Sequence, residues 1–240
     1  MSSLPPIDDR HNPYLATAST AVDDLHPGSV RPQSTGSPFV SVWLHPRRTY
    51  ASLASGAKSL PMIPVVCLYG IADSLSRASD RNVGDQIALP AILGIILLVG
   101  PLGGLLTWVL SSFLIRWTGK WIGGRGQSSD IRQAAALGSI PRIASLPIWA
   151  IIIAVAGREA FTSESPTLDA EPWRTLLLVL GLILVGGLAL WGFIVLCNTI
   201  AEAQGFTSAW KGFGNIVLSG LVLLLPIIVL VGISLLLAAV

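Results

Sequence analysis

Apolar residues gather along this chain in four long blocks, about Leu89–Ile115, Leu137–Ala156, Trp173–Cys197 and Phe213–Val240, separated by short polar segments. A helix needs about 20 apolar residues to cross roughly 30 Å of hydrocarbon, and three blocks reach that length with no charge in their interior. The Leu137–Ala156 block is less regular, because Pro141, Arg142 and Pro147 interrupt its first half. A fifth, shorter run, Leu60–Leu75, holds Pro61, Pro64 and Asp73. The pattern predicts an all-α, polytopic membrane protein.

Charge between the blocks decides how many times the chain crosses. The loop Arg116–Arg132 carries Arg116, Lys120, Arg125 and Arg132 against Asp130 alone, whereas Arg158–Glu171 carries Glu159, Glu164, Asp169 and Glu171 against Arg158. Lys and Arg in short loops stay on the cytoplasmic side. With four crossings, the basic flank Arg47, Arg48 and Lys58 would face away from Arg116–Arg132; a crossing at Leu60–Leu75 removes the conflict. The expectation is therefore a five-transmembrane-helix bundle, with helices at about 60–76, 89–115, 137–156, 173–197 and 213–240. The N-terminus, Arg116–Arg132 and Asn198–Lys211 then lie in the cytoplasm and the C-terminus lies outside. Trp43 precedes the first helix, Trp117 and Trp121 follow the second, Trp173 opens the fourth and Trp210 precedes the fifth, and amphipathic rings of this kind settle at headgroup depth.

Residues 1–37 are rich in Pro, Ser, Thr and Asp without apolar periodicity, which predicts a disordered cytoplasmic tail. Met1–Arg10 contains Asp8 and Asp9 and no apolar run, so the first membrane segment itself is expected to direct insertion. Residues 38–59 read as a juxtamembrane amphipathic segment with a short helix starting near Pro46, a residue suited to a first helical turn. Residues 60–240 form the membrane domain. Within it, Gly126–Arg132 and Gly205–Lys211 are related lead-ins, and the same shift lays Leu146-Pro147-Ile148 on Leu225-Pro226-Ile227. Two tandem helical hairpins are expected, each lead-in starting a helix from a Ser or Thr cap.

Candidate chemistry is sparse. His11, His26 and His45 are scattered over the N-terminal region, so no metal site is expected, and no cofactor. No acid/base pair or His-Glu-x-x-His helix suggests catalysis, and the chain reads as non-enzymatic. Gly123-Gly124-Arg125-Gly126 lacks the Lys-Ser/Thr and preceding strand of a phosphate loop and reads as a flexible loop. Cys67 and Cys197 read as packing residues. Gly100 and Gly104, and Gly181, Gly186-Gly187 and Gly192, would let helices approach closely within one chain. Asp73 and Arg142 are ionisable at membrane depth, but the five-helix order puts Asp73 near the outer end of its helix and Arg142 near the cytoplasmic start of another. The two are thus expected to snorkel separately rather than pair. Trp43, Arg47, Arg48, Arg116, Lys120, Arg125, Arg132, Asn198, Glu202 and Lys211 remain as candidate partner or lipid contacts on the cytoplasmic face.

The order Ser37-Pro38 through Trp43-Leu44-His45-Pro46-Arg47-Arg48-Thr49, a Pro-broken first helix, then Gly-Gly-x-Gly ahead of a Ser-capped segment and a Pro-containing helix, resembles the Yip1 domain family, in its bacterial branch. The resemblance covers about Ser37 to the C-terminus. It implies five helices, a cytoplasmic N-terminus and no catalytic residues. Eukaryotic relatives are early secretory membrane proteins thought to bind prenylated Rab-type GTPases and to shape or sort membrane. Asn12-Pro13-Tyr14 followed by Asp23-Asp24 resembles the tails of many bacterial membrane proteins. That resemblance implies a bacterial plasma (inner) membrane, with an early secretory membrane as the alternative. The leading expectation is a membrane protein that organises membrane or recruits partners through its cytoplasmic face. Its expected partners are membrane lipids and a protein, with a second copy left open and no nucleic acid. The alternative is a small transporter or channel subunit.

Overall fold

The computed structural model describes residues 36–57, 59–166 and 170–238. The expected disorder of residues 1–37 therefore falls, except for Gly36 and Ser37, outside the described residues, as do Lys58 and Asp169. The described residues are helical, with no strand among them. Proline opens both of the first two helices: α1 is Pro38–Ser41 and α2 is Pro46–Ala54, each with Pro where the N–H has no intrahelical partner. α3 runs Met62–Asp80 with Arg81 as its C-cap, and Asn82, with a left-handed φ of 49°, turns the chain into the short 3₁₀ segment Val83–Asp85. α4 is Leu89–Trp121.

The third apolar block is where the sequence pattern and the fold diverge. Helix begins well ahead of Leu137, at Ser128, and the path to Ala156 consists of three pieces: α5 Ser128–Gly138, α6 Ile140–Ile143 and α7 Leu146–Ala156. Pro141 and Pro147 each sit at the start of the following piece, because a proline accepts a first helical turn but cannot continue the ladder behind it. The expected Ser cap is absent at α5. Gln127 caps it, its own N–H donating to Asp130 Oδ2 at 3.0 Å, whereas Ser208 Oγ does accept from the backbone of Trp210 ahead of the last helix. α8 is Pro172–Ala203 and α9 is Ala209–Ala238, continuous through Pro226. The two lead-ins thus start helices at matching places, but only the first hairpin breaks at its proline.

Packing is organised around close crossings. α3 packs most extensively on α4. A Cβ on Gly70 would meet the Gly100 carbonyl oxygen at 2.1 Å, and one on Gly104 would meet the Val66 carbonyl at 2.6 Å, so these three glycines let two backbones touch. A Cβ on Gly181 would press on the Ile152 side chain at 2.8 Å, one on Gly192 would make only ordinary contact with the Gly138 carbonyl at 3.6 Å, and Gly186 and Gly187 face open space, contrary to the sequence expectation. α8 lies against α5, α6 and α7, and α9 against α4 and α8. One buried cluster joins Val42, Tyr50 and Leu53 to Ile131, Leu137 and Ile200; another joins Ile92, Trp149, Ile152 and Phe161.

Among the described residues, four helical stretches are long and apolar enough to cross a membrane: Leu89–Trp121, Ser128–Phe161, Pro172–Ala203 and Ala209–Pro226. α3 is not among them, since Asp73, Arg77 and several serines lower its apolar character. Exposed leucine, isoleucine and valine cover α4 and α8, a surface stable only against hydrocarbon.

Candidate functional site

Hydrogen bonds define one end of the helical assembly as basic. α2 is held there by Arg47, whose Nε donates to Asn198 Oδ1 at 3.4 Å and whose Nη1 donates to the Thr207 carbonyl at 3.1 Å, with Glu202 Oε2 3.8 Å away. Three of the sequence candidates, Arg47, Asn198 and Glu202, are therefore spent on one another. Arg48, Lys120, Arg125, Arg132 and Lys211 are exposed, and Arg116 is half-buried. Trp43 is also structural: half-buried, it donates from Nε1 to the Phe39 carbonyl at 3.0 Å and packs on the core. Behind α2, burial pushes the Tyr50 phenol up from its ordinary pKa near 10, and the negative charges of Asp130 and Glu202 add to that shift.

A single glutamine fixes the glycine loop to this end. The backbone carbonyl of Gln204 accepts from Arg125 N at 3.0 Å, its side-chain oxygen accepts from Gly126 N at 3.1 Å, and its Nε2 donates to the Ile115 carbonyl at 3.1 Å. Gly124 N donates to the Gly119 carbonyl at 2.7 Å and Gly123 N to that of Lys120 at 3.3 Å. A phosphate cradle needs free N–H groups, and all four of these are used. The loop is tied down, not flexible as its composition suggested. Gln204 carried no sequence signal, since one amide at a helix end belongs to no pattern. Beside it, Thr118 Oγ1 donates to Asn215 Oδ1 at 2.7 Å, linking α4 to α9 in the buried interior.

Inside the helical assembly the expectation for Asp73 and Arg142 is overturned. Arg142 Nη2 lies 3.1 Å from Asp73 Oδ1, and Arg77 Nε lies 2.5 Å from Asp73 Oδ2. The reason is the early start of α5. Counting from Ser128, Arg142 is about 20 Å along a helical path, and Asp73 is about 16 Å along α3 from Met62, so both reach the interior from the same end. One carboxylate thus bridges two guanidiniums and joins α3 to α6, in place of separate snorkelling.

A cavity of about 490 Å³ lies between α3, α4, α5, α8 and α9, lined by Val66, Tyr69, Arg77, Leu114, Leu196 and Ile216 among others. Neither Asp73 nor Asn198 is on its wall. Cys197 is buried and Cys67 half-buried, both as free thiols. Among the described residues no group of His, Cys, Asp and Glu could hold a metal ion.

The opposite end gathers the α3–α4 turn and the segment after α7. Arg158 Nε donates to the Gly84 carbonyl at 2.7 Å, Ser163 N donates to Asp85 Oδ1 at 3.0 Å, and Ser79 Oγ donates to the Ala160 carbonyl at 2.8 Å. The two loops with contrasting charge thus belong to opposite ends. No curated protein and no solved structure matches the chain. The model of the Yip1 domain matches residues 40–231, from α1 well into α9, and the chain belongs to the Yip1 domain family of integral membrane proteins.

Proposed function

We propose that this protein is a non-enzymatic, five-crossing membrane protein of a bacterial inner membrane, with its basic end in the cytoplasm, where it recruits a protein partner. The observation that carries this reading is the brace at Arg47. It consumes Asn198, Glu202 and the Thr207 carbonyl inside the protein, and leaves Arg48, Arg125, Arg132, Lys120 and Lys211 exposed around it. A rigid base with exposed cations is a surface that steers and orients an acidic partner. The fifth crossing is supported by the charge balance of α3, because pairing Asp73 with Arg142 and Arg77 lowers the cost of carrying that carboxylate through hydrocarbon. The orientation rests on the retention of Lys and Arg in the cytoplasm.

Cross-linking and mass spectrometry in native membrane test the reading. Lys120 and Lys211 should cross-link to one particular protein, and changing Arg48, Arg125 and Arg132 together to Glu should abolish those products. Undiminished products from the triple variant would overturn it. The cavity favours a second reading, a small transporter. Against that reading, the carboxylate at membrane depth is committed to two arginines and Asn198 is committed to Arg47, so neither lines a path.

A further inference from the structure

The end opposite the basic surface carries a groove whose chemistry changes along its length. It has a volume of about 230 Å³ and lies between the last turns of α3 and the first turns of α4. Arg77 and Arg81 line its α3 side, and Ile92, Ile95, Ile96 and Val99 line its α4 side; no carboxylate is among the lining residues. Helical geometry explains the sorting. Ser74, Arg77, Ala78 and Arg81 share one face of α3, while Asp80 and Asp73, which meets Arg142, lie roughly a quarter-turn away. Arg77 stands at the border. Its Nε holds Asp73, yet its side chain is 60% exposed, which leaves the rest of the guanidinium available to the groove. Arg81, just past the end of the helix, is exposed as well.

The apolar side continues beyond the groove. Ile95 and Val99 are followed on the same face of α4 by Leu102 and Leu106, all four exposed, in a stripe that descends from the helix end toward the middle of the bilayer. Two cations at the helix ends and an apolar stripe beneath them match, in order and direction, the head and chain of a lipid in the adjacent leaflet. A guanidinium presents parallel N–H donors that suit phosphate oxygens, and two of them beside one groove favour a head with net negative charge. We infer that Arg77, Arg81 and the Ile95–Val99 face of α4 form a binding site for an anionic phospholipid. The phosphate sits between the two arginines and an acyl chain lies along α4. This site lies at the end away from the proposed partner surface, so it stands or falls without it.

The test uses the full-length protein, purified in detergent and stripped of lipid, titrated with phosphatidylglycerol or with phosphatidylcholine of the same chains and read by native mass spectrometry. Phosphatidylglycerol should bind saturably and more tightly. Arg81→Gln should weaken it about tenfold and Arg77→Gln/Arg81→Gln further, the scale of one lost charge-assisted contact each. Arg174→Gln, at the same end but outside the groove, should change nothing, and millimolar inorganic phosphate should not displace the lipid. The site is overturned by equal affinity for the two lipids, by unchanged phosphatidylglycerol binding in the double variant, by an equal loss in Arg174→Gln, or by displacement with inorganic phosphate. Arg81→Gln leaves the Asp73 contacts intact, so it decides the matter even where the double variant fails to fold.

Discussion

The two carboxylate oxygens of Asp73 serve two different constraints. Oδ2 ties to Arg77 within α3, and Oδ1 ties α3 to Arg142 in the broken helical path of α5 to α7. Its side chain is 20% exposed and that of Arg142 is 25% exposed, so removing one partner leaves an ion with little water to replace it. Such a deletion costs about 3–5 kcal/mol, whereas removing both partners costs less than the sum. Asp73→Ala should therefore lower the unfolding midpoint in detergent more than Arg77→Ala, whose side chain is mostly exposed. Asp73→Ala/Arg142→Ala should recover part of the loss. Additive effects in the double variant would show that the pair does not couple the helices. The sequence displayed both residues but not their meeting. The hydrophobic onset at Leu137 puts Arg142 near a helix start, yet the helix begins at Ser128 and Ile131 and Ala134–Gly138 are already buried, which carries Arg142 about two and a half turns deeper.

At the level of elements, the α3–α4 crossing rests on the absence of side chains. Gly70, Gly100 and Gly104 bring two backbones into contact, and backbone cannot yield as a flexible side chain can. Gly70→Ala should spread the helices and cost about 1–3 kcal/mol or more, as overpacking does elsewhere. Gly103→Ala, one residue from Gly104 but facing open space, should be neutral in the same thermal unfolding measurement. Equal effects of the two would mean that the crossing is looser than described. This feature was legible in advance, since Gly100 and Gly104 are four residues apart on one face of an apolar helix. So was the start of α2 at Pro46. The Gln204 clamp was not, because its partners are backbone groups far along the chain, and composition carries no record of which N–H a lone amide will meet.

For the whole molecule, the remaining choice is between four crossings and five, and it turns on α3. Among the described residues four stretches are apolar enough to cross, and the basic flank at Arg47 and Arg48 lies at the same end as Arg125 and Lys211, because Arg47 bonds directly to Asn198 and Thr207 there. The chain between that flank and α4 must then travel to the other end, where α4 begins beside Gly84 and Arg158. α3 is the segment that makes this journey, and its 19 residues span about 28 Å as a helix, close to one hydrocarbon thickness. Ser128 and Ser163 are both exposed, at the basic and the opposite end respectively, so each can report a side by labelling. In a variant with both native cysteines replaced, a cysteine at Ser163 should react with an impermeant thiol reagent in intact cells. One at Ser128 should react only after the membrane is opened. Reaction at Ser128 in intact cells would place the basic end outside, against the retention of Lys and Arg in the cytoplasm, and would remove the partner surface from the compartment proposed for it.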